Sequence, residues 1–163
     1  MVVLASLVVV GTARPSRAEQ GGMAAGKTME QAIFGGVPGL PTCMTGAVES
    51  GDPTKGASII LGKGEKGCVI PWHWHTPIES VMMVSGSARM EMKDGSAANL
   101  KAGGFAEMPS HHVHQFTCTS ACVLFIHSDG AFDMHYVDGQ GKDLTPDEAL
   151  KKVKETPAKP PQS

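Results

Sequence analysis

Charge is scarce in this chain. Of its 163 residues only 18% are Asp, Glu, Lys or Arg, against roughly a quarter in ordinary soluble domains. The formal net charge of −2 argues against a nucleic-acid partner, since such proteins present a basic face. Arginine is confined to Arg14, Arg17 and Arg89, so bidentate clamping of phosphate groups is not expected. Aromatics are few, with five Phe, two Trp and one Tyr. An almost unbroken apolar stretch, Val2 to Val10, is too short for a bilayer, which needs about 20 apolar residues. Glycine and proline are plentiful instead, at 20 and 11. Turns that frequent exclude a coiled coil or a helical bundle. Ten Met and seven His are many for this length, and they point to where the chemistry lies.

The apolar run is followed by Gly11-Thr12-Ala13-Arg14-Pro15-Ser16-Arg17-Ala18. This is the pattern of a secretory signal peptide, with Ser16 and Ala18 as the small residues before the cut. Residues 1–18 are expected to be removed, although no Lys or Arg precedes the apolar run. The remaining 145 residues carry 12 basic and 16 acidic side chains. An exported protein, periplasmic or secreted, with no stable membrane insertion after cleavage is the expectation.

Residues 19–42 are Gly-rich and weakly patterned, a flexible lead-in with one helical turn around Thr28 to Ile33. From Cys43 onward, short apolar or alternating runs are separated by Gly, Asp or Ser. Strands are expected near Met44–Glu49, Ala57–Leu61, Cys68–His75, Ser80–Val84, Ala88–Lys93, Ala97–Leu100, Phe105–Met108, His114–Thr117, Cys122–His127 and Phe132–Val137. Asp94-Gly95 marks a hairpin between two of them. About ten strands spaced by turns imply an all-β sandwich or barrel over residues 43–140. Residues 141–163 change character. Thr145, Pro146 and Glu148 form a helix start, and Pro157, Pro160 and Pro161 mark a disordered tail.

The chemistry concentrates in Gly67-Cys-Val-Ile-Pro-Trp-His73-Trp-His75-Thr-Pro-Ile-Glu79. Residues two apart in a strand share a face, so His73 and His75 point the same way. Glu79 has matching parity beyond the Thr76-Pro77 kink. Imidazole with carboxylate suits Fe, Mn, Co, Ni, Cu or Zn. A second stretch, Gly103 to His114, leads through a turn with His111 and His112 into another strand.

Together the two stretches resemble the cupin family. Its first motif is Gly, five residues, His-x-His, three or four residues, Glu, six residues, Gly, and Gly67, His73, His75, Glu79 and Gly86 match every position. Its second is Gly, five residues, Pro-x-Gly, two residues, His, three residues, Asn. Gly103, Pro109 and His114 match, while His111 replaces the Gly and Cys118 the Asn. The Gly serves a turn, where His is tolerated better than a β-branched residue. The Asn is not a ligand in the family. The resemblance covers about Ala57 to Val137. It implies a jelly-roll-like β-barrel with a short C-terminal helix and a metal inside its wider mouth. His73, His75, Glu79 and His114 would be the ligands, leaving open positions of the kind a catalytic site keeps. Fe or Mn leads the candidate metals, with Ni, Cu, Co or Zn as alternatives. A small organic substrate, dioxygenase-like chemistry with Glu79 also acting as a base, and a homodimer follow from the same resemblance. Isomerase or lyase chemistry needs the same ligands. A non-enzymatic metal- or ligand-binding module, a sensor for instance, is the alternative.

Val81 and Met83, and Met90 and Met92, share faces near the site, as cavity wall or as plain core. Core is the simpler reading. His111 and His112 read as solvated loop residues. His127, Asp133 and His135 would supply an acid or base only if they face inward. Trp72 and Trp74 point away from the ligands, towards packing or a dimer interface. Cys118 and Cys122 flank a three-residue turn, so a bridge between them is plausible, with Cys43 and Cys68 as the other pair. Free thiols and other pairings stay open.

Overall fold

The computed structural model describes residues 26–155. The expected signal peptide and the end of the proline-rich tail lie outside them. A short 3₁₀ turn at Met29–Gln31 is followed by β1 (Gly35–Gly36), β2 (Met44–Gly51), β3 (Ser58–Gly64), β4 (Val69–Trp74), β5 (Glu79–Ser85) and β6 (Ser87–Met92). Then come β7 (Ala97–Lys101), β8 (Phe105–Met108), β9 (His114–Cys118), β10 (Cys122–Ser128), β11 (His135–Val137), β12 (Asp143–Leu144) and α1 (Pro146–Glu155).

The strands form two six-stranded antiparallel sheets. The first runs β1-β2-β3-β10-β5-β8 and the second β12-β11-β4-β9-β6-β7. The expected all-β, jelly-roll-like architecture with a C-terminal helix is therefore present. Its barrel is two sheets face to face, and neither sheet closes on itself.

Alternation along the strands puts one apolar face of each sheet inside. Met44, Val81, Met83, Met108 and Leu124 from the first sheet meet Ile70, Ala88, Met90, Phe116 and Tyr136 from the second. The Asp94-Gly95 hairpin forms as expected. The Asp94 carboxylate accepts from the Ser96 amide (2.8 Å), and the Gly95 amide donates to the Met92 carbonyl (3.0 Å). At the helix start, the Thr145 amide donates to Glu148 Oε2 (2.8 Å) and the Glu148 amide to Thr145 Oγ1 (3.3 Å). This reciprocal pair is the capping box that the sequence announces. Ala149 is buried, and Leu150 packs beside it against the core.

Two strands, β1 and β12, are two residues each, too short to carry a period-two signal. The expected last strand starts at His135, not at Phe132. Residues Phe132 and Asp133 spend their hydrogen bonds on a loop. The Phe132 amide donates to the Pro53 carbonyl (2.7 Å), and the Asp133 carboxylate accepts from the Thr76 amide (2.7 Å).

All four cysteines are paired. Cys43 bonds Cys68 and Cys118 bonds Cys122, with Cα separations of 5.6 and 6.1 Å, inside the ordinary disulfide range. These are the pairs that proximity in sequence favours. Both lie at the end of the sandwich where Gly64 packs against Cys118, Cys122 and Met44.

Candidate metal centre

At one end of the sandwich the two sheets bring four side chains together. His73 on β4 stands opposite His114 on β9 in the same ladder. His75 follows one residue past the end of β4. Glu79 opens β5 in the facing sheet, paired with Met108 and Ser128. The expected parity holds, so a single His-x-His and two further strand starts deliver the whole cluster.

The cluster is desolvated. His73, His75, Glu79 and His114 are 2, 2, 6 and 1% exposed. One nitrogen from each of the three histidines lies within 4.8 Å of the others. Glu79 Oε2 is 3.2 Å from His114 Nε2, and Glu79 Oε1 is 3.6 Å from His75 Nε2.

Main-chain carbonyls determine the tautomers. His73 Nδ1 meets the Pro71 carbonyl at 2.6 Å, His114 Nδ1 meets that of His112 at 2.9 Å, and His75 Nδ1 meets that of Asp133 at 2.5 Å. A carbonyl only accepts, so each Nδ1 carries the hydrogen. In the neutral imidazole each Nε2 then presents a lone pair. Three lone pairs and a carboxylate facing one small buried volume repel one another unless a cation lies among them. His75 Nε2 shows this most plainly, because it is buried with no hydrogen-bond partner. Buried polar atoms are rarely left so. The donor set fits a divalent transition metal, and it is the arrangement in which outer hydrogen bonds aim ligands at one.

Protonation equilibria agree. Burial first, then the positive charges His114 and His75 would carry, hold His73 well below its ordinary value. For Glu79, burial alone would raise the carboxyl. The charge His75 would carry when protonated, the hydrogen bond and charge of a protonated His114, and the charge of His73 overcome it and bring the value down to about 2. His73 neutral and Glu79 ionised are the forms a metal requires.

The other expected residues divide. Val81, Met83 and Met90 are buried in the core, the plainer of their two readings. Met92 is half-buried and opposite His114. His111 adopts φ 62°, the left-handed turn that the motif's Gly would supply. It is exposed, its ring stacks on Trp74 at 4.5 Å, and its Nδ1 meets Ser110 Oγ at 2.7 Å. His112 contributes through its carbonyl. His127 pairs with Ile59 and Ser80 on β10, on the face opposite Glu79.

Asp133 and His135 do not face the cluster. They form a half-exposed pair, His135 Nε2 to Asp133 Oδ2 at 3.1 Å, and His135 stacks on the second face of Trp74 at 3.9 Å. The loop turns their side chains outward while its main chain turns in, so neither is an acid or base at the cluster. Trp72 also points outward, beneath Lys93. What sequence reading missed is that Asp133 serves through its carbonyl. A main-chain acceptor has no residue-type signature. Phe132, whose ring packs on His75 at 4.6 Å, was missed with it.

Two surface clefts lie elsewhere. One, of about 350 Å³, includes Trp72, Glu91, Lys93 and Ser96. The other, of about 100 Å³, includes Lys27, Met29, Val84 and Phe125. Among the described residues no helix is long and apolar enough to cross a membrane.

Comparison with known proteins agrees with this fold. The family model described as Cupin domain matches residues 61–128. A crystal structure of an RmlC-like cupin from Shewanella frigidimarina is similar, with TM-score 0.56 and 19% identity over 64% of this chain and 89% of that one. So is the DMSP lyase DddQ from Ruegeria pomeroyi, with TM-score 0.53 and 16% identity over 61% and 56%. Salicylate 1,2-dioxygenase from Pseudoaminobacter salicylatoxidans follows, with TM-score 0.50 and 15% identity over 55% of this chain and 26% of that one. At such identities the likeness is one of fold. No curated protein sequence matches this chain.

Proposed function

We propose that this chain, whose residues 61–128 match the family model of the Cupin domain, is an exported metal-dependent enzyme acting on a small organic molecule. The observation that carries the reading is the convergence of three buried histidine nitrogens within 4.8 Å of one another, with the Glu79 carboxylate 3.2 and 3.6 Å from two of them. His73, His75 and His114 would hold the metal through Nε2, and Glu79 through a carboxylate oxygen. Fe or Mn fits this donor set, as do Co, Ni, Cu and Zn. When bound, the metal supplies Lewis-acid polarisation of a substrate oxygen or, if it is redox-active, dioxygen chemistry.

The chain's own residues do the rest. The three carbonyl bonds keep the imidazoles aimed. Burial excludes bulk water and strengthens every charge inside. Glu79 Oε2 lies 3.2 Å from His114 Nε2, and Oε1 lies 3.6 Å from His75 Nε2. The carboxylate oxygen that does not hold the metal would be the one to take a proton from substrate. Dioxygenase-like chemistry is the first reading, and lyase or isomerase chemistry uses the same atoms.

A non-enzymatic binding module is the second reading. It is favoured by ligands at most 6% exposed and by two clefts whose linings include none of them. The experiment is metal analysis of the natively purified protein, followed by oxygen uptake and turnover over a substrate panel. Substrate-dependent uptake or turnover supports the enzyme. Tight metal binding without turnover supports the module.

Export is proposed from the apolar leader and is supported by the two disulfides, which persist in oxidising compartments. A homodimer is proposed too. Exposed Val84 and Phe105, 46 and 58% accessible on the first sheet, support it, and light scattering on the purified protein tests it.

A further inference from the structure

The three histidines are not held alike. His73 and His114 each donate Nδ1–H to a carbonyl two residues earlier in their own strand or turn. Their aim is built into local backbone. The acceptor for His75 comes from 58 residues away. His75 also lies beyond the last ladder residue of β4, so its own strand does not fix the ring.

The loop that supplies the acceptor joins β10 to β11, and several bonds tie it down. The Ile78 amide donates to Asp129 Oδ1 at 2.8 Å, and Ser128 Oγ donates to the Gly130 carbonyl at 2.8 Å. The Phe132 amide reaches the Pro53 carbonyl at 2.7 Å. At Asp133 itself, the carboxylate accepts from the amide of Thr76 at 2.7 Å. Thr76 is the residue directly after His75. Asp133 thus grips the same short segment twice, by its carbonyl on the ring and by its side chain on the next amide.

We propose that Asp133 is a positioning residue of the metal centre, aiming the His75 imidazole through its carbonyl while its carboxylate pins that carbonyl in place. This rests on the metal reading of the site. Losing the carboxylate frees the Thr76 amide, lets the loop drift and loosens one ligand of four. His135 also meets the carboxylate, but that pair is half-exposed and contributes little. The Thr76 contact is the one that matters.

The test uses the full-length protein and Co²⁺, whose visible absorption reports ligand geometry. Asp133→Ala weakens Co²⁺ binding by about 10- to 100-fold, the usual effect of removing an outer hydrogen-bond support, and shifts the absorption bands. Asp133→Asn keeps an oxygen for the Thr76 amide and restores both affinity and spectrum. His135→Ala stays within about threefold of wild type, as a half-exposed pair should. If Asp133→Ala does not fold, Asp133→Glu moves the carboxylate by one methylene and gives the same loss. Folded Asp133→Ala or Asp133→Glu protein that keeps wild-type affinity and spectrum overturns the proposal, even if its melting temperature falls, and so does Asp133→Asn that loses them as Asp133→Ala does. Wild-type protein that takes up no Co²⁺ overturns the metal reading itself, so the two failures are distinct.

Discussion

Gly67 and Gly86 begin and end the first metal motif, and both have left-handed backbone, with φ 81° and 74°. Their surroundings differ, and that difference makes a quantitative prediction. A Cβ at Gly67 would meet nothing within 4 Å. Gly67→Ala then pays only the left-handed penalty, about 1–2 kcal/mol. A Cβ at Gly86 would collide with the Ala121 carbonyl oxygen and lie 2.9 Å from the Ala121 carbonyl carbon and Cys122 Cα. That backbone cannot retreat easily, because Cys122 is bonded to Cys118 and Val123 is paired with Ser85. Gly86→Ala should therefore cost about 3–5 kcal/mol in all, among the large effects of single substitutions. At this chain length each kcal/mol moves the melting temperature by about 2–4 °C. Thermal unfolding with metal removed should show a fall of about 2–8 °C for Gly67→Ala and about 6–20 °C for Gly86→Ala. Equal effects at the two positions would refute the argument from steric surroundings.

Three further predictions follow from the same structure. Glu79 and His73 both have lowered values, so the unfolded chain takes up their protons first as pH falls. Stability of metal-free protein declines below pH 6.5 through His73, and a further contribution of about 3 kcal/mol is lost between pH 4.5 and 2 through Glu79. Urea titrations over that range check it, and Glu79→Gln with an unaltered slope below pH 4.5 contradicts it. Alkylation of denatured protein without reductant labels none of the four cysteines and with reductant labels all of them; full labelling without reductant removes the disulfides from the account. Tyr136 is fully buried, its hydroxyl donates to the Gly39 carbonyl at 2.7 Å, and burial raises its value to about 12. Tyr136→Phe leaves that carbonyl unpaired and costs about 1–3 kcal/mol in urea unfolding, and an unchanged midpoint contradicts the bond's role.

Much of the site was legible because it depends on periods and short spacings. The parity of His73 and His75, the offset to Glu79 and the spacing from Gly103 to His114 are properties of a strand and a turn, and the fold keeps them. The left-handed turn at His111 and the capping box at Thr145 are local in the same way. What was not legible is non-local and made of main chain. Which way Asp133 and His135 face depends on a loop whose bonds run to Pro53 and Thr76. No residue type encodes that. The two-residue strands β1 and β12 exist only because neighbouring strands offer them an edge. That the barrel is two open sheets is likewise a matter of pairing and not of pattern.

The central claim is that four buried side chains form one metal centre. Elemental analysis of natively purified wild-type protein, beside His73→Ala and His114→Ala, tests it most directly. The account predicts a transition metal at one equivalent per chain in the wild type, and its loss in both variants while each stays folded. Wild-type protein that binds no metal, or variants that keep a full equivalent, would contradict it.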